Sequence, residues 1–120
     1  MRLYLGGFGQ GKLTFVSNVE GIKEFFDGEK DNLEEIKKYR AINKLNLLIK
    51  RLIAEKIDVF DFIIHLDVDV IICDTVGNGI TPTNRQDEEY RNYVGRSCHI
   101  IAEKSETVVR IISGRGQVIK

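Results

Sequence analysis

The sequence predicts an α/β fold in which a parallel sheet carries helices on its faces, and three observations lead there. Short apolar or β-branched runs at Leu3 to Leu5, Val68 to Cys73 and Val108 to Ser113 are separated by long stretches with helical periodicity. Strands separated by helices imply right-handed crossovers, hence parallel pairing. A glycine-rich turn closes the first strand and opens the first helix.

Taken in order, Leu3 to Leu5 is a short apolar segment ended by Gly6 and Gly7, and Leu13 to Val16 resumes the apolar pattern as a helix. From Asn32 to Lys56 the residues Leu33, Ile36, Ile42, Leu45, Leu48, Ile49, Leu52 and Ile53 recur mostly at three- and four-residue spacing. That periodicity predicts one long or two successive amphipathic helices, with Glu34, Glu35, Lys37 and Lys38 on the solvated face. Asp58 to Leu66 reads as a short helical extension and Val68 to Cys73 as a buried strand. Asp67 and Asp69, at the start of that strand, are expected in solvent. The glycines, asparagine and proline of Asp74 to Pro82 mark a loop. Thr83 and Gln86 then have capping-box spacing, opening a helix to about Ser105. Its stripe is Tyr90, Val94, Cys98 and Ile101, and Gly95 inside it predicts a close packing contact. Val108 to Ser113 is the last β-branched run before Gly114, Arg115 and Gly116 and the ending Val118-Ile119-Lys120.

The 120 residues, 42% hydrophobic, supply one modest core, which predicts a single domain. Eighteen basic residues balance eighteen acidic ones, so nothing draws a polyanion and nucleic acid is not expected as a partner. The longest apolar runs, such as Val70 to Cys73, are far below the roughly 20 residues of a membrane span. Met1-Arg2-Leu3-Tyr4-Leu5 runs straight into glycines and lacks the apolar core of a signal peptide, so the expected location is cytoplasmic. Cys73 and Cys98 read as small core residues, and a disulfide is unexpected in a reducing compartment.

The glycine turn carries the chemistry. Gly6-Gly7-Phe8-Gly9-Gln10-Gly11-Lys12 fits G-x-x-x-x-G-K, and it lies between a strand and a helix as that motif requires. Glycines let successive N–H groups face one anion, the helix N-terminus adds partial positive charge, and Lys12 supplies a mobile cation. The expectation is a P-loop NTPase-like single domain that binds ATP or GTP through Gly6, Gly7, Phe8, Gly9, Gln10, Gly11, Lys12 and Leu13. The motif ends in Ser or Thr, whose hydroxyl meets Mg²⁺, but here the residue is Leu13. Thr14 lies about 100° further round the helix, so Mg²⁺ needs another ligand or water, and the metal ligands stay unassigned. Asp74 ends a buried strand, where open α/β sheets place ligands, and there it would orient Mg²⁺ or an attacking hydroxyl. The other reading of Asp74 is a turn-initiating aspartate bonded to its own backbone.

Beyond Asp74, the run Val76-Gly77-Asn78-Gly79-Ile80-Thr81-Pro82-Thr83-Asn84-Arg85 resembles the N-E-V-G-x-G-I-V-P-x-N-R segment of the adenosylcobinamide kinase/adenosylcobinamide-phosphate guanylyltransferase family. The resemblance continues through Tyr90-Arg91, Gly95-Arg96 and Val108 to Ser113 to the terminal Ser113-Gly114-Arg115-Gly116-Gln117-Val118-Ile119-Lys120, similar to the family's S-G-I-G-x-K-I-K. Gly6-Gly7 and Gly11-Lys12 are similar to its G-G-x-x-x-G-K, whereas Val16 to Val68 is dissimilar and shorter. The resemblance implies a kinase of cobinamide salvage that phosphorylates the aminopropanol hydroxyl of a corrinoid; Asp74-Thr75 stands where the family has N-E, the carboxylate one position earlier, and Lys12 and Asp74 are the expected catalytic residues. It also implies Asn84, Arg85, Arg91 and Arg96 as substrate-binding residues, and a homo-oligomer, trimeric in the family. Helical spacing lets no more than two of those arginines share one site. The family's second step passes through a guanylylated histidine, but no histidine occurs from Leu13 to Ile64. His65 and His99 read as structural or surface residues, so guanylyl transfer is not expected. The alternative function is a non-catalytic nucleotide- or corrinoid-binding relative that acts as a regulator or assembly partner.

Overall fold

A computed structural model describes residues 1–75 and 84–120. Along the chain they form β1 (Arg2–Gly6), α1 (Lys12–Glu20), β2 (Phe26–Asp27), a 3₁₀ helix (Leu33–Lys38), β3 (Ala41–Asn43) and α2 (Leu45–Ala54). There follow α3 (Val59–Ile64), β4 (Val70–Asp74), α4 (Arg85–Lys104), β5 (Thr107–Ile112) and β6 (Arg115–Val118). The strands make one sheet in the order β2-β3-β4-β1-β5-β6, parallel except for the antiparallel β5–β6 hairpin at one edge. The chain is therefore a single α/β domain with a mostly parallel sheet.

Strand alternation divides the core between the two faces of the sheet. Leu3, Ile71, Cys73 and Val108 point to one face, where Leu45, Leu48, Ile49 and Leu52 of α2, Val59 and Ile63 of α3, and Val94 and Ile101 of α4 cover them. Tyr4, Val70, Ile72, Val109 and Ile111 point to the other, beneath Val16 of α1 and Ile22. Each fully buried aliphatic side chain contributes about 1.5–3 kcal/mol, so this layering outweighs the short ladder of the two-residue β2. From β1 the chain crosses through α1 toward β2 and β3, and from β4 it crosses through α4 to β5 on the far side of β1. Adjacent strands β1 and β4 thus send their connections in opposite directions. Such a switch point leaves a crevice at the carboxyl ends of the two strands.

The three strands read from sequence are present as β1, β4 and β5, and the short helix after Asp58 is α3, capped by the Asp58 side chain on the Asp61 N–H. The stretch from 32 to 56 differs from the helical expectation. Leu33–Lys38 is a 3₁₀ helix, Ala41–Asn43 is a buried strand, and only Leu45–Ala54 is α-helical. Lys44, at φ 59, makes the break between strand and helix. Ile42 fits the helical stripe in sequence, and a three-residue strand has too few alternations to contradict it. Gly95 also differs from expectation: it faces solvent, and a Cβ there would meet nothing within 4 Å. The helical register instead buries Val94, Ser97 and Ile101, with Tyr90 and Cys98 partly buried. The expected cap Thr83 lies outside the described residues; the observed cap is Asn84, whose side chain accepts from the Asp87 N–H at 2.8 Å.

At the opposite end of the sheet from the crevice, Glu20 ties α1 to the start of β1. Its Oε2 accepts from Arg2 Nε at 2.8 Å and from the Tyr4 hydroxyl at 2.5 Å. The Arg2 bond, ahead of the Tyr4 bond, pulls the Glu20 carboxyl below its ordinary range against the effect of burial. A depressed carboxyl stabilises the fold above its unfolded pKa, and that contribution is lost as pH falls through the folded value. Glu20→Gln is therefore expected to cost about 1–2 kcal/mol near pH 7, after discounting for partly exposed Arg2. The difference between the two proteins should shrink as pH falls below the ordinary carboxyl range and toward the depressed folded value. Urea melts across that acid range and at neutral pH measure it, and a loss that does not change with pH would assign the cost to packing.

Candidate functional site

The register of the sheet builds the site. Gly6 is paired directly with Asp74, so the last residues of β1 and β4 lie side by side, and the Thr75 N–H donates to the Gly6 carbonyl at 2.9 Å. From Gly6 the chain loops out and returns at Gly11 into α1, whose first residue is Lys12. The lysine stem folds back over Gly6. A Cβ on Gly6 would stand 3.1 Å from Lys12 Cδ and 2.7 Å from the Ile111 carbonyl, so only glycine fits beneath that stem. Lys12 is nine-tenths buried as a result, and its Nζ lies 2.6 Å from Asp74 Oδ1 while donating to the Gly7 carbonyl at 2.7 Å.

Gly9 and Gly11 sit at φ 78 and 79, a left-handed backbone that glycine adopts without the steric cost of a Cβ. The N–H groups of Lys12, Leu13 and Thr14 in the first turn of α1 have no intrahelical acceptor, and among the described residues no side-chain cap is present. Phe8 is 92% exposed at the tip of the loop. Gln10 does not face the crevice alone: its Oε1 accepts from the Ser113 N–H at 2.7 Å and its carbonyl accepts from the Gly114 N–H at 2.9 Å. The loop is thus fastened to the β5–β6 turn. Leu13 and Thr14 are exposed at the mouth, so neither packs the helix onto the sheet.

A cavity of about 260 Å³ opens here, lined by Phe8, Gly9, Gly11, Lys12, Leu13, Thr14, Asn43, Lys44 and Asp74. Buried cation, loop amides and a carboxylate around one concavity suit an anion that arrives with a cation. Asn43, Lys44 and Asn46 were not singled out from the sequence. Asn43 and Lys44 reach the cavity because β3 ends beside β4. Asn46 is buried in the first turn of α2, and its Oδ1 accepts from the Asp74 N–H at 3.2 Å, fixing the carboxylate's backbone. No motif marks Asn46, since it acts only through the sheet's tertiary arrangement. Among the described residues, no group of three or more His, Cys, Asp or Glu side chains gathers to hold a metal. Asp74 is the carboxylate at the cavity.

The sequence-selected residues of α4 divide. Arg85 and Arg96 line one groove of about 470 Å³ with Phe60, Glu88, Glu89, Asn92 and Tyr93. The Arg96 guanidinium lies 4.6 Å from the centre of the Phe60 ring, and Tyr93 packs against the same ring at 5.1 Å. Arg91 does not line that groove. Two of the three arginines share a surface, as helical spacing requires. The Asn84 side chain serves the helix cap. Residues 76–83, where the resemblance to the cobinamide kinase family is densest, lie outside the described residues. Both histidines are exposed and neither lines the cavity. His65 Nδ1 lies 2.8 Å from the Asp61 carbonyl, and His99 Nε2 lies 3.0 Å from Glu103 Oε1. Among the described residues no helix is long and apolar enough to cross a membrane. No protein-family model matches the chain, and no curated protein matches it.

Proposed function

We propose that this protein is a P-loop NTPase-like, nucleotide-dependent phosphotransferase whose acceptor is an alcohol. From the sequence resemblance, that alcohol is the aminopropanol hydroxyl of adenosylcobinamide. The observation that carries the proposal is the meeting of Lys12 and Asp74 at 2.6 Å, over the paired ends of β1 and β4 and beside the uncapped first turn of α1. A cation, a carboxylate and open amides at a topological switch point are the parts that phosphoryl transfer uses.

In this reading the ATP or GTP phosphates lie along the loop from Gly7 to Gly11, and the Lys12 ammonium exchanges Asp74 for a phosphate oxygen. Asp74 is then released toward the Mg²⁺ that the nucleotide brings or toward the acceptor hydroxyl. Magnesium, when bound, neutralises charge on the phosphate oxygens. Leu13 cannot coordinate it, so Asp74 is this chain's contribution, held in place by Asn46. Guanylyl transfer is left out of the proposal because neither His65 nor His99 lines the cavity. The exposed Leu13 favours the second reading, a relative that binds nucleotide or corrinoid without turnover.

The test is incubation of the purified chain with adenosylcobinamide, Mg²⁺ and either ATP or GTP, with mass spectrometry of the corrinoid. Phosphorylated cobinamide supports the enzyme. Bound nucleotide or bound corrinoid without product supports the second reading, and failure to bind either nucleotide or the corrinoid removes both.

A further inference from the structure

We propose that Cys73 and Cys98 form an oxidisable dithiol, and that their disulfide, made by a peroxide, moves the backbone that carries Asp74. The inference rests on the geometry of the two cysteines and is independent of the nucleotide reading. Cys73 is the fourth residue of β4 and fully buried; Cys98 lies in the middle of α4 and is partly exposed. Their sulfurs are 3.5 Å apart, although the residues are 25 positions apart in sequence, and both are free thiols. A disulfide needs sulfurs at about 2.05 Å, so the pair must close by about 1.5 Å, within reach of side-chain rotation and a small shift of helix against strand.

The two thiols are not equivalent. The contact between the two sulfurs makes Cys98, the less buried, the more acidic thiol, whereas that contact and burial push the Cys73 thiol up. Cys98 is therefore the more readily ionised of the two thiols, and it is the one that solvent reaches. Its sulfur attacks one oxygen of hydrogen peroxide, the O–O bond breaks, and the leaving hydroxide takes a proton to become water, leaving Cys98 as the sulfenic acid. Cys73 sulfur then attacks Cys98 sulfur: the S–S bond forms, the S–O bond breaks, and the departing hydroxide takes the Cys73 proton as a second water. Two thiols are oxidised, and one peroxide is reduced to two waters.

The strand transmits the closure. Cys73 precedes Asp74 directly and its Sγ lies 3.4 Å from the Asp74 carbonyl oxygen. Asp74 in turn is held by Asn46 at its N–H and meets Lys12 at its carboxylate. Drawing Cys73 toward α4 changes the position of a residue whose contacts are all short.

The experiment treats the folded protein with hydrogen peroxide, quenches it, blocks remaining thiols and measures intact mass, peptide linkage and amide NMR spectra. The expected result is loss of both titratable thiols, a mass lower by two hydrogens, a linked peptide pair containing Cys73 and Cys98, and shifted Asp74 and Thr75 amides. All of these should revert on reduction. Cys98→Ser, at a partly exposed position, should keep one unreactive thiol and an unshifted Asp74 amide under the same peroxide. Oxygen atoms added to either cysteine, a disulfide between two chains, or two thiols that survive would overturn the dithiol. A Cys73–Cys98 disulfide that leaves the Asp74 amide unmoved would overturn the coupling.

Discussion

Lys12→Ala is expected to weaken ATP or GTP binding by about 10- to 200-fold, the 1.5–3 kcal/mol of a charge-assisted hydrogen bond. Two effects act in the same direction. The ammonium that meets the phosphates is gone, and Asp74, which it partners at 2.6 Å, is left facing the incoming anion without a counter-charge. The stem of Lys12 is nine-tenths buried over Gly6, so alanine also opens a gap there. Lys12→Met separates these contributions, because it keeps an apolar stem of similar length and removes only the charge. Calorimetry on the three proteins measures the affinities, with a melting curve for each. Methionine is expected to weaken binding nearly as much as alanine while melting closer to the natural protein. Affinity that survives in both variants would move the nucleotide away from this loop.

Much of the site was legible because its parts are punctuation. Glycines between an apolar run and a helical pattern can be read without tertiary information, and Gly6 to Lys12 is seated as that reading requires, between β1 and α1. Asp74 was legible for a similar reason, as a carboxylate ending a β-branched run. The partnership of the two was not, since it depends on β4 pairing with β1 in the register that sets Gly6 against Asp74. That register arises from burying Ile71 and Cys73 on one face and Ile72 on the other, a tertiary outcome. Asn46 and the cavity edge at Asn43 and Lys44 depend on β3, a strand of three residues whose Ile42 obeys a helical stripe equally well. Short parallel strands at a sheet's far side carry almost no periodic signal, so side chains mounted on them stay hidden. The cysteines show the same limit from another direction: Cys73 is a core residue as expected and Cys98 is partly buried against the core, but their 3.5 Å approach joins a strand to a helix that no local pattern connects.

Asp74→Asn is expected to reverse the order of the two proteins' nucleotide affinities between Mg²⁺-free and Mg²⁺-containing solution rather than simply weaken binding. In the natural protein the carboxylate competes with phosphate for Lys12 and repels the phosphate charge, and both effects are absent for an amide of nearly the same shape. A carboxylate about 4 Å from a phosphate oxygen costs up to about 4 kcal/mol at an intermediate dielectric. Asp74 is about one-quarter exposed, so screening should reduce that to about 1–2 kcal/mol. Without Mg²⁺ the variant should therefore bind nucleotide about 5- to 30-fold more tightly than the natural protein. With Mg²⁺ the order should reverse if the metal is held as proposed above, because the Leu13 side chain offers no oxygen and Asp74 supplies the carboxylate that lines the cavity. Phosphoryl transfer, if present in the natural protein, should fall by about 100-fold or more, as for loss of a group that stabilises developing charge. The measurement is nucleotide affinity for both proteins with Mg²⁺ and with a chelator. An Mg²⁺ enhancement that persists undiminished in the variant would take the metal away from Asp74. Weaker binding without Mg²⁺ would show instead that the carboxylate serves to hold Lys12 in place for the phosphates, and that the ion pair prepares the site rather than closing it.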